Sequence, residues 1–199
     1  MKETPILFTG EMVRAILDGR KTLTSRLIKP QPTKNVIQGD DGAWYDADCI
    51  NPGTPLKCKY KPGTRLWVKE TFHPHKSHQG PASYRATWKD EDPDEGWKPS
   101  IFMPRWASRI TLEVVRVWPS RLQEMTEEMA KEEGCGWAFK PSERLMLGIK
   151  ATYLEGYKQL WDSINAAPRR KKVKGKTVII PGHPWESNPW VWRIQFKRI

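Results

Sequence analysis

The chain has 199 residues, which suits one domain with elaborations and allows a sizeable buried core. Its 34 Lys and Arg exceed its 23 Asp and Glu, and the net charge of +11 favours polyanionic partners, with nucleic acid first. No stretch approaches the roughly 20 apolar residues of a membrane helix, and MKETPILFTGEM lacks the apolar run of a signal peptide. Three cysteines (Cys49, Cys58, Cys135) form no even disulfide framework. We therefore expect a soluble, cytoplasmic protein without a membrane partner.

The first predicted element is a helix in TGEMVRAILDG. Thr9 is a suitable N-cap and Gly19 a suitable residue to end the helix. One face of the helix carries the apolar side chains of Met12, Val13, Ile16 and Leu17. The stretch GRKTLTSR, residues 19 to 26, therefore begins at a helix C-terminus.

The middle of the chain predicts loops and short strands. Residues 30–63 are rich in Pro, Gly, Asp and Asn, which indicates a long loop or insertion with little regular structure. Strands are predicted in TRLWVKET, SYRATW and SRITLEVVRVW, which are rich in β-branched and aromatic residues. In the last of them Ile110, Leu112 and Val114 alternate with Thr111 and Glu113.

The last third predicts two helices and a closing strand. TEEMAKEEG has Thr126 as its cap and Gly134 beyond its end, and YLEGYKQLWDSIN has one apolar face. In WVWRIQFKRI, Trp192, Ile194 and Phe196 alternate with Arg193, Gln195 and Lys197, which predicts a half-buried strand. Helices separated from runs of short strands favour an α+β domain built on a small, partly closed sheet.

Lys21 and Thr24 are candidates for catalysis. Side chains three apart on a regular strand point to opposite faces, so these two meet only where the chain turns, bulges or stays helical. A neutral lysine amine there would accept the threonine proton and make the hydroxyl a nucleophile toward an acyl carbon. Nearby Arg20 and Arg26 would favour that neutral form. The alternative is that Lys21 and Arg20 stabilise the helix C-terminus and Thr24 is an ordinary strand residue.

Three segments carry a family resemblance: ILFTGEMVRAILDGRKTLTSR, KPGTRLWVKETF and the late WRIQFKRI. Together they resemble the ASCH superfamily, and specifically its phage and prophage proteins. The family marker G-x-K-x-x-[ET]-x-R is met by Gly19, Lys21, Thr24 and Arg26. The stretch GRKT-x-T-x-R is also similar to that of the bacterial N(4)-acetylcytidine amidohydrolases. TEEMAKEE resembles their T-E-x-x-A-x-x-E segment, which places the catalytic glutamate at Glu133.

The resemblance implies a fold, an activity and a domain plan. The fold would be a PUA-like small β-barrel with flanking helices, in a single domain over residues 1–199 with insertions near 30–63, 71–100 and 135–177. The activity would be hydrolysis of an N(4)-acylated cytidine or a related modified nucleoside, with Lys21 activating Thr24 and Glu133 assisting proton transfer. ASCH proteins also include proposed RNA binders and nucleases, so a non-catalytic RNA-binding module and a ribonuclease remain alternatives.

Further residues are candidates for substrate contact. Without the resemblance, Glu133 would be one of several glutamates on a short solvated helix. Glu70 ends a predicted strand, where it is either a pocket carboxylate or an ordinary strand-end charge. In MPRWASR, Arg105, Trp106 and Arg109 either stack a base and hold phosphate or divide between the core and the surface. Arg85 could line a pocket, and Arg26 belongs to the family marker.

The tract PRRKKVKGK predicts a mobile basic loop between the last helix and the final strands. Its basic residues favour phosphate contact, with a solubilising insertion as the alternative. They are Arg169, Arg170, Lys171, Lys172, Lys174 and Lys176. Upstream, His73, His75 and His78 lie together, but Cys49 and Cys58 are not the tight pair of a zinc site. No metal and no other cofactor is therefore expected.

Overall fold

The computed structural model describes residues 3–33, 35–47, 55–74, 82–93, 96–136, 152–173 and 176–199. They form a mixed α+β structure of many strands and few helices, which confirms the predicted class. The strands are β1 (Glu3–Leu7), β2 (Leu23–Leu27), β3 (Val36–Gln38), β4 (Trp44–Asp46), β5 (Arg65–Lys69), β6 (Phe72–His73), β7 (Ser83–Tyr84), β8 (Thr111–Arg121), β9 (Arg169–Val173), β10 (Lys176–Ile180) and β11 (Trp190–Arg198). The α-helices are α1 (Gly10–Leu17), α2 (Glu127–Glu132) and α3 (Tyr153–Asn165). Short 3-10 helices span Arg85–Thr87, Ser100–Phe102, Arg105–Ala107, Leu122–Glu124 and Trp185–Ser187. None of the helices described is long and apolar enough to span a bilayer.

Five strands form one mixed sheet in the order β1-β5-β8-β11-β2. Strand β1 runs parallel to β5, and β5 runs antiparallel to β8. The order begins at β1 and ends at β2, so the sheet formed by the described strands is open. The barrel that the family resemblance implies is thus not seen as a closed structure in the described part of the chain.

The chain divides into two compact units. The first consists of Met1–Thr24, Lys59–Val117 and Ile194–Ile199, and the second of Ser25–Cys58 and Trp118–Arg193. Strands β2, β8 and β11 contribute residues to both units.

The first unit contains α1 and the alternating strands that the sequence predicts. The Thr9 hydroxyl accepts a hydrogen bond from the main-chain N–H of Met12, which satisfies one unpaired donor at the helix start. Val13 and Ile16 are buried on the apolar face. In β8, Leu112 and Val114 are buried, because successive side chains of a strand point to opposite faces and this face points inward.

The second unit contains α2 and α3. Thr126 caps α2 by accepting from the N–H of Met129, as predicted. The two helices enclose an apolar cluster to which Tyr157 and Trp161 of α3 contribute their rings. The other buried members are Leu122, Met125, Ala130, Cys135, Trp185 and Val191.

A side chain of α2 caps the start of α3. The Glu127 carboxylate accepts from the N–H of Tyr153 at 2.6 Å and from the N–H of Leu154 at 3.0 Å. Thr152 and Glu155 complete a capping box at the same helix end. Negative charge is favourable near a helix N-terminus, so Glu127 fixes where α3 begins.

The segment 30–63, predicted to have little regular structure, contains a short hairpin, β3–β4, and Asp46 accepts from the N–H and hydroxyl of Thr33. Two other predicted segments differ from the structure. SYRATW is a strand only at Ser83–Tyr84 and then turns into a 3-10 helix. In β11 the predicted polar position of Arg193 is fully buried.

The basic tract is a hairpin and not the predicted mobile loop. Strand β9 pairs antiparallel with β10, so that Arg170 stands opposite Ile179 and Arg169 opposite Ile180. The Arg169 guanidinium donates to the carbonyl of Ile164 near the end of α3. At the base of the hairpin, a Cβ on Gly182 would lie 1.9 Å from the carbonyl oxygen of Ala166. The returning strand therefore passes so close to the α3 end that only glycine fits there.

Replacing Gly182 with alanine is expected to lower the free energy of unfolding by about 1–3 kcal/mol, because the new methyl group overlaps the Ala166 carbonyl and the main chain must shift. Urea denaturation followed by tryptophan fluorescence measures the change. Gly136→Ala is the control, since its Cβ meets nothing within 4 Å. Equal stabilities of the two variants would contradict the close approach at Gly182.

Candidate functional site

Lys21 lies where the chain leaves α1 and enters β2. Gly19 has a positive φ of 74°, and the main-chain N–H groups of Arg20 and Lys21 both donate to the carbonyl of Ala15. The chain thus turns sharply at GRK, as the catalytic hypothesis requires. The Lys21 side chain is only 2% exposed, although lysine is almost never fully buried unless it is paired.

The Lys21 amine is oriented toward the start of β2. Its Nζ donates to the Leu23 carbonyl at 2.8 Å and lies 5.4 Å from the centre of the Phe8 ring. The Leu23 carbonyl belongs to the peptide bond that leads into Thr24. The Lys21 side chain is therefore buried beside the start of β2 and not exposed on the surface.

Thr24 is buried to the same extent as Lys21, with 2% of its surface exposed. Its hydroxyl makes no hydrogen bond to any group in the described part of the chain. A hydroxyl without an internal partner retains both its donor and its acceptor capacity for a bound molecule. This property distinguishes Thr24 from its neighbour Ser25.

Glu133 is a buried residue of the second unit, with 2% of its surface exposed. It follows the last residue of α2, and one carboxylate oxygen accepts from the Ser25 hydroxyl at 2.6 Å. The interpretation of Glu133 as a solvated helix residue is therefore wrong. The hydroxyl that contacts this carboxylate is that of Ser25, which the sequence analysis did not select.

Arg193 is the other charged member of this cluster. Its side chain is 0% exposed, and Nη1 donates to the Ser25 hydroxyl at 2.6 Å. Nη2 donates to the carbonyl of Leu122 at 2.9 Å. The Ser25 hydroxyl thus accepts from a guanidinium and donates to a carboxylate, and hydrogen bonds to charged groups are about twice as strong as neutral ones.

Tyr157 completes the cluster from α3. Its hydroxyl lies 3.5 Å from Nη1 of Arg193. Burial raises the pKa of the Tyr157 phenol, the negative charge of Glu133 raises it further, and Arg193 opposes both effects. Tyr157 is therefore a neutral hydrogen-bonding group throughout the physiological pH range. No sequence pattern separates Tyr157 from an ordinary core tyrosine.

Glu70 is a second buried carboxylate and belongs to the first unit. Its two oxygens accept from Nε and Nη2 of Arg109, each at 2.9 Å. The Arg109 guanidinium lies 4.0 Å from the centre of the Tyr84 ring, and burial raises the pKa of that tyrosine. Because Arg109 occupies both carboxylate oxygens, a substrate would have to displace it to reach Glu70.

The remaining predicted substrate residues are dispersed. Arg26 is half-buried in β2, and Arg85 is exposed at the start of a 3-10 helix. Arg105 pairs with Glu3 through two hydrogen bonds of 2.6 and 3.1 Å, which lower the pKa of that glutamate. Trp106 is 59% exposed, so the core alternative for its ring is wrong.

Some candidates fall outside the described residues. They are Cys49, His75 and His78 of the histidine and cysteine group and Lys174 of the basic tract. His73 is described, and its Nδ1 lies 3.0 Å from the carbonyl of Gly96. Within the described ranges, no three His, Cys, Asp or Glu residues group as a metal site would require.

Comparison of the chain with models of known protein families, with curated proteins and with solved structures finds no match. The ASCH resemblance therefore rests on the residues of this chain alone.

Replacing Ser25 with alanine is expected to destabilise the protein by about 1–3 kcal/mol, because the variant leaves Arg193 and Glu133 without their shared hydroxyl in a buried site. Chemical denaturation measures the loss. Ser163→Ala, which removes an exposed hydroxyl of α3, is the control and should change little. Equal effects at the two serines would show that the cluster contributes nothing to stability.

Tyr157 is expected to make the stability of the protein depend on pH. Above about pH 10 the unfolded tyrosine releases its proton whereas the folded one retains it, so ionisation favours the unfolded state. The wild type should therefore lose stability relative to Tyr157→Phe by up to ~1.4 kcal/mol per pH unit above that point. Urea unfolding of both proteins between pH 8 and pH 11 tests this. Parallel curves across the whole range would refute the raised pKa.

Proposed function

We propose that the chain is an ASCH-type protein with a PUA-like fold that hydrolyses the acyl amide of an N(4)-acylated cytidine or a related modified nucleoside. The observation that carries the proposal is the buried pair in GRKTLTSR. The Lys21 amine donates to the carbonyl of the peptide bond that leads into Thr24, and the Thr24 hydroxyl has no partner in the described chain. A buried base near a hydroxyl that retains its hydrogen-bonding capacity suits nucleophilic catalysis.

The proposed reaction proceeds through an acyl-enzyme. Lys21, as the neutral amine, accepts the Thr24 proton while Thr24 Oγ1 forms a bond to the acyl carbonyl carbon. The bond between that carbon and the cytosine N4 breaks, and the leaving amine takes the proton back from Lys21. Water then hydrolyses the threonine ester, which releases the carboxylic acid and restores the hydroxyl. The role of Glu133 is carried over from the resemblance.

The resemblance assigns proton transfer to Glu133, whose carboxylate accepts from the Ser25 hydroxyl that Arg193 also contacts. Glu70 has both oxygens bound to the Arg109 guanidinium, and we assign it a supporting ion pair.

Recognition of the base is assigned to Trp106. Its exposed indole offers a flat apolar surface, and stacking of one base on an aromatic ring contributes about 1–3 kcal/mol. The same exposed ring favours a second candidate function, a non-catalytic RNA-binding module. Turnover of the amide separates the two functions.

The test is hydrolysis of N(4)-acetylcytidine by the purified protein, followed by ultraviolet absorbance. Lys21→Ala and Glu133→Gln should each lower kcat on the order of 10²- to 10⁴-fold, as expected for the loss of a general base or acid. Thr24→Ala should abolish the covalent intermediate. Glu132→Gln removes a neighbouring charge at the end of α2 and is the matched control, with unchanged kcat.

Mass spectrometry of the quenched enzyme identifies the acylated residue. An acyl group on Thr24 supports the mechanism, whereas one on Ser25 would move the nucleophile to the hydroxyl that contacts Glu133. Full activity in Lys21→Ala would exclude the lysine as base. RNA cleavage that survives Thr24→Ala would favour the ribonuclease alternative.

A further inference from the structure

The two strands of the hairpin β9–β10 differ in character: β9 is basic and β10 is largely apolar. Strand β9 carries the basic residues, and Arg169, Arg170 and Lys172 are exposed. Strand β10 presents the exposed apolar side chains of Val178, Ile179 and Ile180, of which Ile179 is 66% exposed. No acidic residue occurs between positions 168 and 185. The hairpin therefore offers an uncompensated cationic edge beside an apolar one.

Both faces of the hairpin carry charge. Residues paired across an antiparallel ladder lie on the same face, so Arg170 shares one face with Ile179 and Arg169 shares the other with Ile180. Neither face is purely apolar. An element that lies on a membrane keeps its apolar residues on one face and its basic residues on the other. This hairpin lacks that separation.

Charge also argues against a second copy of the chain as the partner. A hairpin edge left unpaired in the described sheets can add a strand from another molecule. Pairing of two copies along β9 would place basic strands next to one another, and like charges in close contact are unfavourable. A polyanion, in contrast, is attracted to cations on both faces.

The basic side chains are held on an anchored support. Arg169 donates to the Ile164 carbonyl, and Gly182 packs against the Ala166 main chain. Beyond the hairpin, the Trp161 indole donates to the carbonyl of His183 at 2.8 Å. An isolated hairpin is marginally stable in water, and this attachment to α3 fixes the base from which it extends.

We propose that β9–β10 is a binding arm for single-stranded nucleic acid, in which Arg170 and Lys172 contact the phosphates. RNA and DNA share this phosphate chemistry. The substrate class rests on the proposed function: the acylated cytidine would be a residue of a polynucleotide. It must be unpaired, since N4 lies on the base-pairing edge and is out of reach inside a duplex.

The experiment measures binding of fluorescent single-stranded RNA and DNA oligonucleotides by anisotropy at several salt concentrations. The double variant Arg170→Gln, Lys172→Gln should weaken binding about tenfold near 0.1 M salt and reduce the slope of log affinity against log salt by about 1.4, or 0.7 for each lost contact. The matched control, Lys57→Gln with Lys61→Gln, removes the same charge from exposed lysines elsewhere. It should retain the wild-type slope.

Several outcomes would contradict the proposal that β9–β10 binds single-stranded nucleic acid. They are equal weakening in both double variants, an absence of oligonucleotide binding, a preference for duplex, and binding to phosphatidylserine vesicles without binding to oligonucleotides. Circular dichroism of each variant checks that it is folded. Preference for RNA or for DNA identifies which polynucleotide supplies the phosphates.

Turnover separates this inference from the proposed function. The arm variant should hydrolyse free N(4)-acetylcytidine at the wild-type rate but lose rate on acetylcytidine within an oligonucleotide at low substrate concentration. If the wild type hydrolyses neither substrate while binding still depends on the arm, the amidohydrolase fails and the nucleic-acid arm stands. If the free nucleoside is hydrolysed and the oligonucleotide is not bound, the amidohydrolase function stands and the proposal of a nucleic-acid arm is wrong.

Discussion

Arg193 lies fully buried in the middle of β11, and the second unit must provide partners for its charge. Removing a guanidinium from water is unfavourable by several kcal/mol unless polar atoms replace the water. The Ser25 hydroxyl and the carbonyl of Leu122 take this role, and Ser25 in turn binds Glu133. Strand β2 and the 3-10 helix that follows β8 thus supply partners for one side chain, and Glu133, next to the end of α2, is buried against the same Ser25 hydroxyl.

The two buried carboxylates, Glu70 and Glu133, are linked to arginine in different ways. Glu70 is clamped by Arg109 in a direct two-point pair, a geometry that fixes the guanidinium against the Tyr84 ring. Glu133 reaches its arginine through a hydroxyl, so the carboxylate and the guanidinium contact the same oxygen atom. The first arrangement is a direct ion pair, whereas in the second a neutral hydroxyl lies between the two charged groups.

Local patterns predicted the elements that depend on local interactions. Thr9 and Thr126 cap their helices as expected, because a cap and its N–H partner lie three residues apart. The alternation of Leu112 and Val114 likewise needs only the period of a strand. The α+β class followed from the order of such elements, but the open five-stranded order did not, since pairing of distant strands leaves little local signal.

Contacts of the candidate site that join residues far apart in the chain could not be predicted from local patterns. The alternation in WVWRIQFKRI predicted an exposed Arg193, because its partner Ser25 lies 168 residues away in the chain and leaves no local signal. The basic residues of β9 resembled a loop because their pairing with Val178 and Ile179 is not visible in their own composition. The residue types in GRKTLTSR and the family resemblance both indicated Lys21 and Thr24, but their burial could not be predicted from a stretch so rich in polar residues.

The cap that Glu127 provides for α3 joins a side chain of α2 to the main chain of α3. Two hydrogen bonds from one carboxylate hold the first residues of α3, and both partners belong to described helices. The contact therefore depends on the side chain at position 127 and not on the side chains at positions 153 and 154, because these two residues take part only through their main-chain N–H groups.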